Sequence, residues 1–128
     1  MTFNEAIEQA ERILPDEAAP EGEADPRWQA IIEVGMFIDA EPDAVWFFAL
    51  RWGCHSDEDL RTAIATCLVE HLLEGHFDTI FPRVKDAVES SLLFADTFSR
   101  CWKFGQAKEI GNAERFDRLH EECRKRAR

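Results

Sequence analysis

SDEDLRTAIATCLVEHLLEG, residues Ser56 to Gly75, reads as one helix with both ends marked. Ser56 is placed to cap the first turn, and Asp59 follows three residues later, as in a capping box. Asp57, Glu58 and Asp59 put negative charge at the positive end of the helix dipole. Gly75 suits the left-handed conformation that stops a helix. Between these ends Leu60, Ile64, Cys67, Leu68, Leu72 and Leu73 spread over more than half of the wheel at about 100° per residue. A surface helix needs an apolar stripe of only roughly 100°. This helix therefore needs cover on several sides, and its sequence neighbours are the expected cover. Its one polar arc is Thr66, Glu70 and Glu74.

The segments on either side are helical too. Thr2 and Glu5 form a capping-box pair, and Phe3, Ala6, Ile7, Ala10 and Leu14 follow at helical spacing, so residues 1–14 hold an amphipathic helix. Residues 15–25, PDEAAPEGEAD, are an acidic linker rich in Pro and Gly. Asp25-Pro26 opens a helix to about Asp39, with Trp28, Ile31, Ile32 and Met36 apolar. Glu41-Pro42 opens the next, from Val45 to Trp52, with Gly53 ending it. Beyond Gly75, Phe77 to Val88 mark a helix from about Asp78 to Glu89, with Pro82 near its first turn. Ser90 is placed to cap a helix running to Phe104, and Gly105 to Gly111 is a polar loop. Asn112 is placed to cap a last helix that ends in the basic tail Arg124 to Arg128. Strand alternation and hairpin turn signals are missing. The expected class is all-α, with about seven antiparallel helices. The organisation is an N-terminal helix (1–14), a linker (15–25) and a helical domain (26–128).

At 128 residues the chain is long enough for one real core. It has no apolar run of membrane-spanning length, and its N-terminus lacks the apolar region of a signal peptide, so a cytoplasmic setting is expected. Cys54, Cys67, Cys101 and Cys123 are widely spaced and read as reduced thiols. The net charge is −11. Residues 1–25 hold eight acids against Arg12, residues 26–110 fourteen acids and eight bases, and residues 111–128 four acids and six bases. An acidic body repels nucleic acid and attracts basic partners. The basic tail is read as solvated, or as able to contact the acidic first 25 residues.

A shift of about 34 residues lays apolar positions on apolar positions. Val45-Trp46-Phe47 falls on Thr79-Ile80-Phe81, Leu60 on Phe94, Ile64 on Phe98, and Cys67 on Cys101. An apolar first helix (Trp46–Trp52), a turn (Gly53–Ser56), then Asp57-Glu58-Asp59-Leu60-Arg61 and small aliphatic residues resemble HEAT-like repeats over about residues 26–105. The resemblance implies a right-handed stack of antiparallel helix pairs that binds macromolecules. It also implies that Asp59 and Arg61 belong to a ladder between neighbouring repeats. The second unit departs from the pattern, with Asp96 and Arg100 deeper in its helix. The alternative architecture is a single-core helical bundle.

Few residues promise chemistry. Cys67 and His71 share a helix face, but a zinc site needs three or four convergent ligands, and His71 falls among Leu60, Ile64 and Leu68 on the wheel. Cys54-His55 is the one exposed-looking thiol and imidazole pair, and the nearby Asp57 and Glu58 disfavour a thiolate. Phosphate loops and hydrolase motifs are missing. The reading is a non-enzymatic protein-interaction module without cofactor or metal, an acidic binder or inhibitor of a basic partner protein. The expected contact residues are Asp57, Glu58, Asp59, Glu70 and Glu74, with Arg100 and Lys103 as a cationic flank. The alternative is a small HEAT-like nucleic-acid-binding or DNA-repair protein using Arg100, Lys103 and the tryptophans. The expected core is Trp28, Ile32, Trp46, Ala49, Leu50, Leu60, Ile64, Cys67, Leu68, Leu72, Phe81, Val84, Phe94, Phe98 and Trp102.

Overall fold

A computed structural model describes residues 1–126. The architecture is all-α, and no strand occurs among the described residues. In chain order come α1 (Phe3–Ile13), α2 (Pro26–Gly35), α3 (Pro42–Gly53) and α4 (Glu58–Ile64). A π-helical turn (Ala65–Val69) then leads into α5 (Glu70–Ser90), followed by α6 (Leu92–Ser99), a 3₁₀ turn (Gly105–Lys108) and α7 (Asn112–Arg126). Helix α4, the π turn and α5 follow one another with no intervening loop. The helices expected over 56–75 and 78–89 meet at a non-helical residue, His76, and with α4, the π turn and α5 counted as one run there are six helical stretches among the described residues.

Several helix ends follow the residues that signalled them. Thr2 and Glu5 form a reciprocal capping box, and Asp25 caps α2 with Pro26 in the first turn. Other ends differ. The cap of α4 is Asp57, which accepts the Leu60 N–H at 3.2 Å, so Ser56 is left outside the helix. Ser91 rather than Ser90 caps α6, accepting the Phe94 N–H at 3.1 Å. Helix α6 stops at Ser99, so Trp102, Lys103 and Phe104 lie on non-helical chain rather than on the extended helix that was expected. Helix α2 stops at Gly35 and a run of turns reaches Ala40.

The stop expected at Gly75 falls at a kink, but not through a left-handed glycine. Gly75 is not among the glycines of positive φ, and His76 leaves helical geometry at φ −139° and ψ 39°. The Phe77 N–H that faces the kink is caught by the Gln106 side chain at 2.9 Å. Gln106 is delivered by the 3₁₀ turn, whose first residue, Gly105, has φ +51° and lies against Glu74. A Cβ on Gly105 would stand 2.8 Å from the Glu74 carbonyl. Only glycine fits both that backbone conformation and that approach.

Helix α1 packs on α2, α3 on α4, and α5 on α6, while α4 also lies between α2 and α6. Helix α7 closes the end against α5 and α6. One contiguous core runs through all of these elements, from Ala6, Ala10 and Leu14 of α1 to Phe116, Leu119 and Cys123 of α7. The N-terminal helix is therefore part of the packed body. Most expected core positions are buried, but Trp102 is 59% exposed, Ile32 is 46% exposed, and Trp28, Leu50 and Cys67 are half-buried. Trp102 left the core because α6 ended before it. Two arginines entered instead, Arg27 and Arg61.

Candidate functional site

The π turn is where the helical wheel fails. Its backbone hydrogen bonds span five residues instead of four, so each residue advances by less than the α-helical step. Residues downstream are therefore rotated from their expected directions. Thr66, Glu70 and Glu74 do not form one arc. Glu70 is turned inward, 9% exposed, and accepts the Trp102 N–H at 2.6 Å. Burial pushes its carboxyl above the usual range, against the opposing pull of that hydrogen bond. His71, expected inside, points out and sits 3.2 Å from Glu74.

Thr66 and Glu74 stay together and line a groove of about 520 Å³ between the C-terminal end of α2 and the π turn. Cys67 and Gly35 lie at its base, and an added Cβ on Gly35 would meet the Cys67 carbonyl at 3.3 Å. On the α2 side are Ile32 and Met36, the latter 80% exposed. At the other end are His71, Glu74 and Asp39, with Asp39 bound to His76 at 3.0 Å across the α5 kink. The groove thus has an apolar, solvent-facing wall and an acidic end. The Cys67 thiol is raised by burial and is not a poised nucleophile.

The other expected contact residues are engaged within the chain. Asp57 and Asp59 hold Arg27, with Nη1 at 2.9 Å from Asp57 and Nη2 at 3.0 Å from Asp59, and Asp59 also accepts the Trp28 indole N–H at 3.0 Å. Burial opposes the Asp57 charge, but the Arg27 hydrogen bond, the Leu60 N–H and the Arg27 charge outweigh it and hold that carboxyl below the usual range. Glu58 pairs with Arg100 at 2.9 Å, and Arg100 also holds Asp96 at 3.0 Å and the Thr62 hydroxyl at 3.0 Å. Lys103 pairs with Asp117 at 2.7 Å. The cationic flank therefore has internal acids as partners.

Cys54 accepts a hydrogen bond from the Ser91 hydroxyl, while His55 stacks near Trp52 and accepts the Asp57 N–H through Nδ1 at 3.1 Å. Among the described residues no three His, Cys, Asp or Glu side chains converge as metal ligands. Cys101 and Cys123 are buried, and burial raises both thiols, that of Cys123 to about 11. In the tail, Arg124 pairs with Glu121 and Arg126 donates to the Val88 carbonyl, so this part of the tail engages α5 and α7 rather than residues 1–25. The tail's last two residues, 127 and 128, lie outside the described residues. No helix among the described residues is long and apolar enough to cross a membrane.

Arg27, Ile32, Met36 and Asp39 were not among the expected site residues. Arg27 had a signal, since the 34-residue shift lays it on Arg61. The exposure of Ile32 and Met36 had none, because both continue the apolar stripe of α2.

No family model matches the chain, and neither a curated protein nor a solved structure matches it.

Proposed function

We propose that the chain is a non-enzymatic interaction module, a HEAT-like stack of helix pairs whose α2/π-turn groove receives an apolar and basic segment of a partner protein. Three features support the architecture. Helices pair as α1/α2, α3/α4 and α5/α6, with α2, α4 and α6 as successive neighbours. Arg27 and Arg61 occupy equivalent positions about 34 residues apart. Each bridges to acids on the next helix of that layer, which is the kind of ladder the HEAT resemblance implies. Helical-repeat folds mostly bind other macromolecules, although the fold alone names no partner.

One observation carries the binding reading. Exposed Met36 and Ile32 face a groove whose other end is acidic through Glu74 and Asp39. Adjustable methionine suits a surface that packs on an apolar side chain, and the carboxylates steer a basic one. A nucleic-acid reading is weakened, since Arg100 and Lys103 are bound to Asp96, Glu58 and Asp117. The test is affinity capture from lysate with the wild-type chain, Met36→Asp and Glu74→Lys in parallel. A partner held by the wild type and lost by both variants supports the reading. A partner retained by both, or bands that are the same for all three, overturns it.

A further inference from the structure

A second cavity lies between α5 and α7, and its chemistry is the reverse of the groove's. It holds about 340 Å³. Phe81 and Pro82 of α5 and Leu119 of α7 give it an apolar floor. Lys85 comes from the next turn of α5, and Arg115 and Arg118 come from one face of α7. Glu122 is its one acidic lining residue.

Arg27, Arg51, Arg61, Arg83, Arg100 and Lys103 each pair with a carboxylate from another part of the sequence. Among the described residues, Lys85, Arg115 and Arg118 form no ion pair with any acid, as is also true of Arg12, Lys108, Lys125 and Arg126, but these three line one cavity. Three cations against the single carboxylate of Glu122 leave this cavity an excess of positive charge in a chain of net charge −11. Arg115 is also held in place. Its guanidinium lies 5.1 Å from the Phe81 ring and 5.4 Å from the Phe77 ring, and those two rings stack on each other at 4.7 Å. Cation–π attraction to the two rings fixes the guanidinium at the cavity, where its fork of N–H groups can meet a bidentate anion.

We propose that this α5/α7 cavity is a binding site for a small phosphate monoester with an apolar or aromatic group. Three cations against one carboxylate leave an excess that suits a dianion better than a single carboxylate. The volume is at the low end of the range that holds small molecules, roughly 300–1,000 Å³, and more than a bare phosphate needs. The apolar floor accounts for the remainder. Arg115 and Arg118 supply forked hydrogen bonds to phosphate oxygens, and Lys85 supplies a point charge. This site shares no residue with the α2/π-turn groove, and the proposal does not rest on the function assigned to that groove.

Calorimetric titration of the full chain at low salt tests it, with phenyl phosphate, inorganic phosphate, benzoate and heparin as probes. Phenyl phosphate is expected to bind more tightly than inorganic phosphate or benzoate. Arg118→Gln and Lys85→Gln should each weaken it on the order of tenfold or more, about the worth of one charge-assisted contact. Glu122→Gln should tighten it, a gain that damaged folding cannot produce. Arg124→Gln, which alters a cation paired with Glu121, should leave it unchanged. Absence of phenyl phosphate binding at about 1 mM, or binding indifferent to Arg118, Lys85 and Glu122, overturns the proposal. So does a preference for benzoate, which would make the site one for carboxylates, or for heparin, which would make it an open polyanion surface.

Discussion

Arg27 and Arg61 perform the same task about 34 residues apart. Arg27 reaches Asp57 and Asp59 of the next helix in its layer and donates back to the Asp16 carbonyl in the loop before its own helix. Arg61 reaches Asp96 at 2.9 Å and donates back to the carbonyls of His55 and Ser56, again in the loop before its own helix. Each side chain is almost wholly buried, so each ties a loop, a helix and the following helix at one point.

Truncating either arginine should therefore loosen the layer. Removing one partner of a fully buried pair costs 3–5 kcal/mol, but the acids here remain partly exposed and regain water, so Arg27→Leu should cost about 1–3 kcal/mol. Arg27→Lys should cost part of that, since an ammonium cannot serve Asp57 and Asp59 as a fork does. Urea midpoints read both. A midpoint unmoved by Arg27→Leu would mean that the bridge is only a surface pair.

Gly53 ends α3, as the sequence suggests, but its importance lies in packing. A Cβ there would stand 2.9 Å from the buried Phe94 ring. Its carbonyl also accepts the Thr97 hydroxyl of α6 at 2.5 Å. Gly53→Ala should therefore destabilise by about 1–3 kcal/mol through overpacking, although alanine is the better helix former. Thermal unfolding measures this, and a gain in Tm would show that α3 and α6 separate easily.

The helices were legible where local signals act alone. Thr2 with Glu5, Asp25 with Pro26, and the apolar spacing of α3 each specify a start or a face within a few residues. What stayed hidden depends on contacts distant in sequence. The wheel drawn through Ser56–Gly75 placed His71 inside and Glu70 outside, because a π turn leaves no mark in composition. The end of α6 at Ser99 was equally hidden, since Trp102 continues the apolar spacing of Phe94 and Phe98. The groove combines a stripe on α2 with a rotated turn, and neither half announces the other.

The pH dependence has two parts of opposite sign. Asp57 and Asp96 feel burial first, but the arginines beside them outweigh it and hold both carboxyls below the usual value near 3.8. Such groups contribute stability above the unfolded pKa, and that contribution is lost as pH falls through the lower folded pKa. Unfolding free energy should thus drop below about pH 4, and Arg27→Leu should flatten the Asp57 share of the drop. A profile equally steep in wild type and variant would argue that Arg27 does not hold Asp57 in its charged form.

Glu70 supplies the opposite sign and the sharpest test of the π turn. Its carboxyl is buried, which raises its pKa from the usual 4.5, so the folded chain binds a proton there more readily than the unfolded chain. The charge therefore costs stability at pH 7, and the cost fades as pH falls through the raised folded pKa toward the unfolded one. Its contact with the Trp102 N–H needs an oxygen and not a charge. Glu70→Gln keeps an acceptor and removes the buried charge, so its urea midpoint should exceed wild type at pH 7 and match it by about pH 4, where both side chains are neutral. Glu70→Leu strands the N–H and should lose about 1–3 kcal/mol. Glu70→Gln and Glu70→Leu variants both as stable as wild type at pH 7 would place Glu70 on the solvent-facing arc that an unbroken α-helix predicts, and would remove the rotation on which the shape of the α2 groove depends.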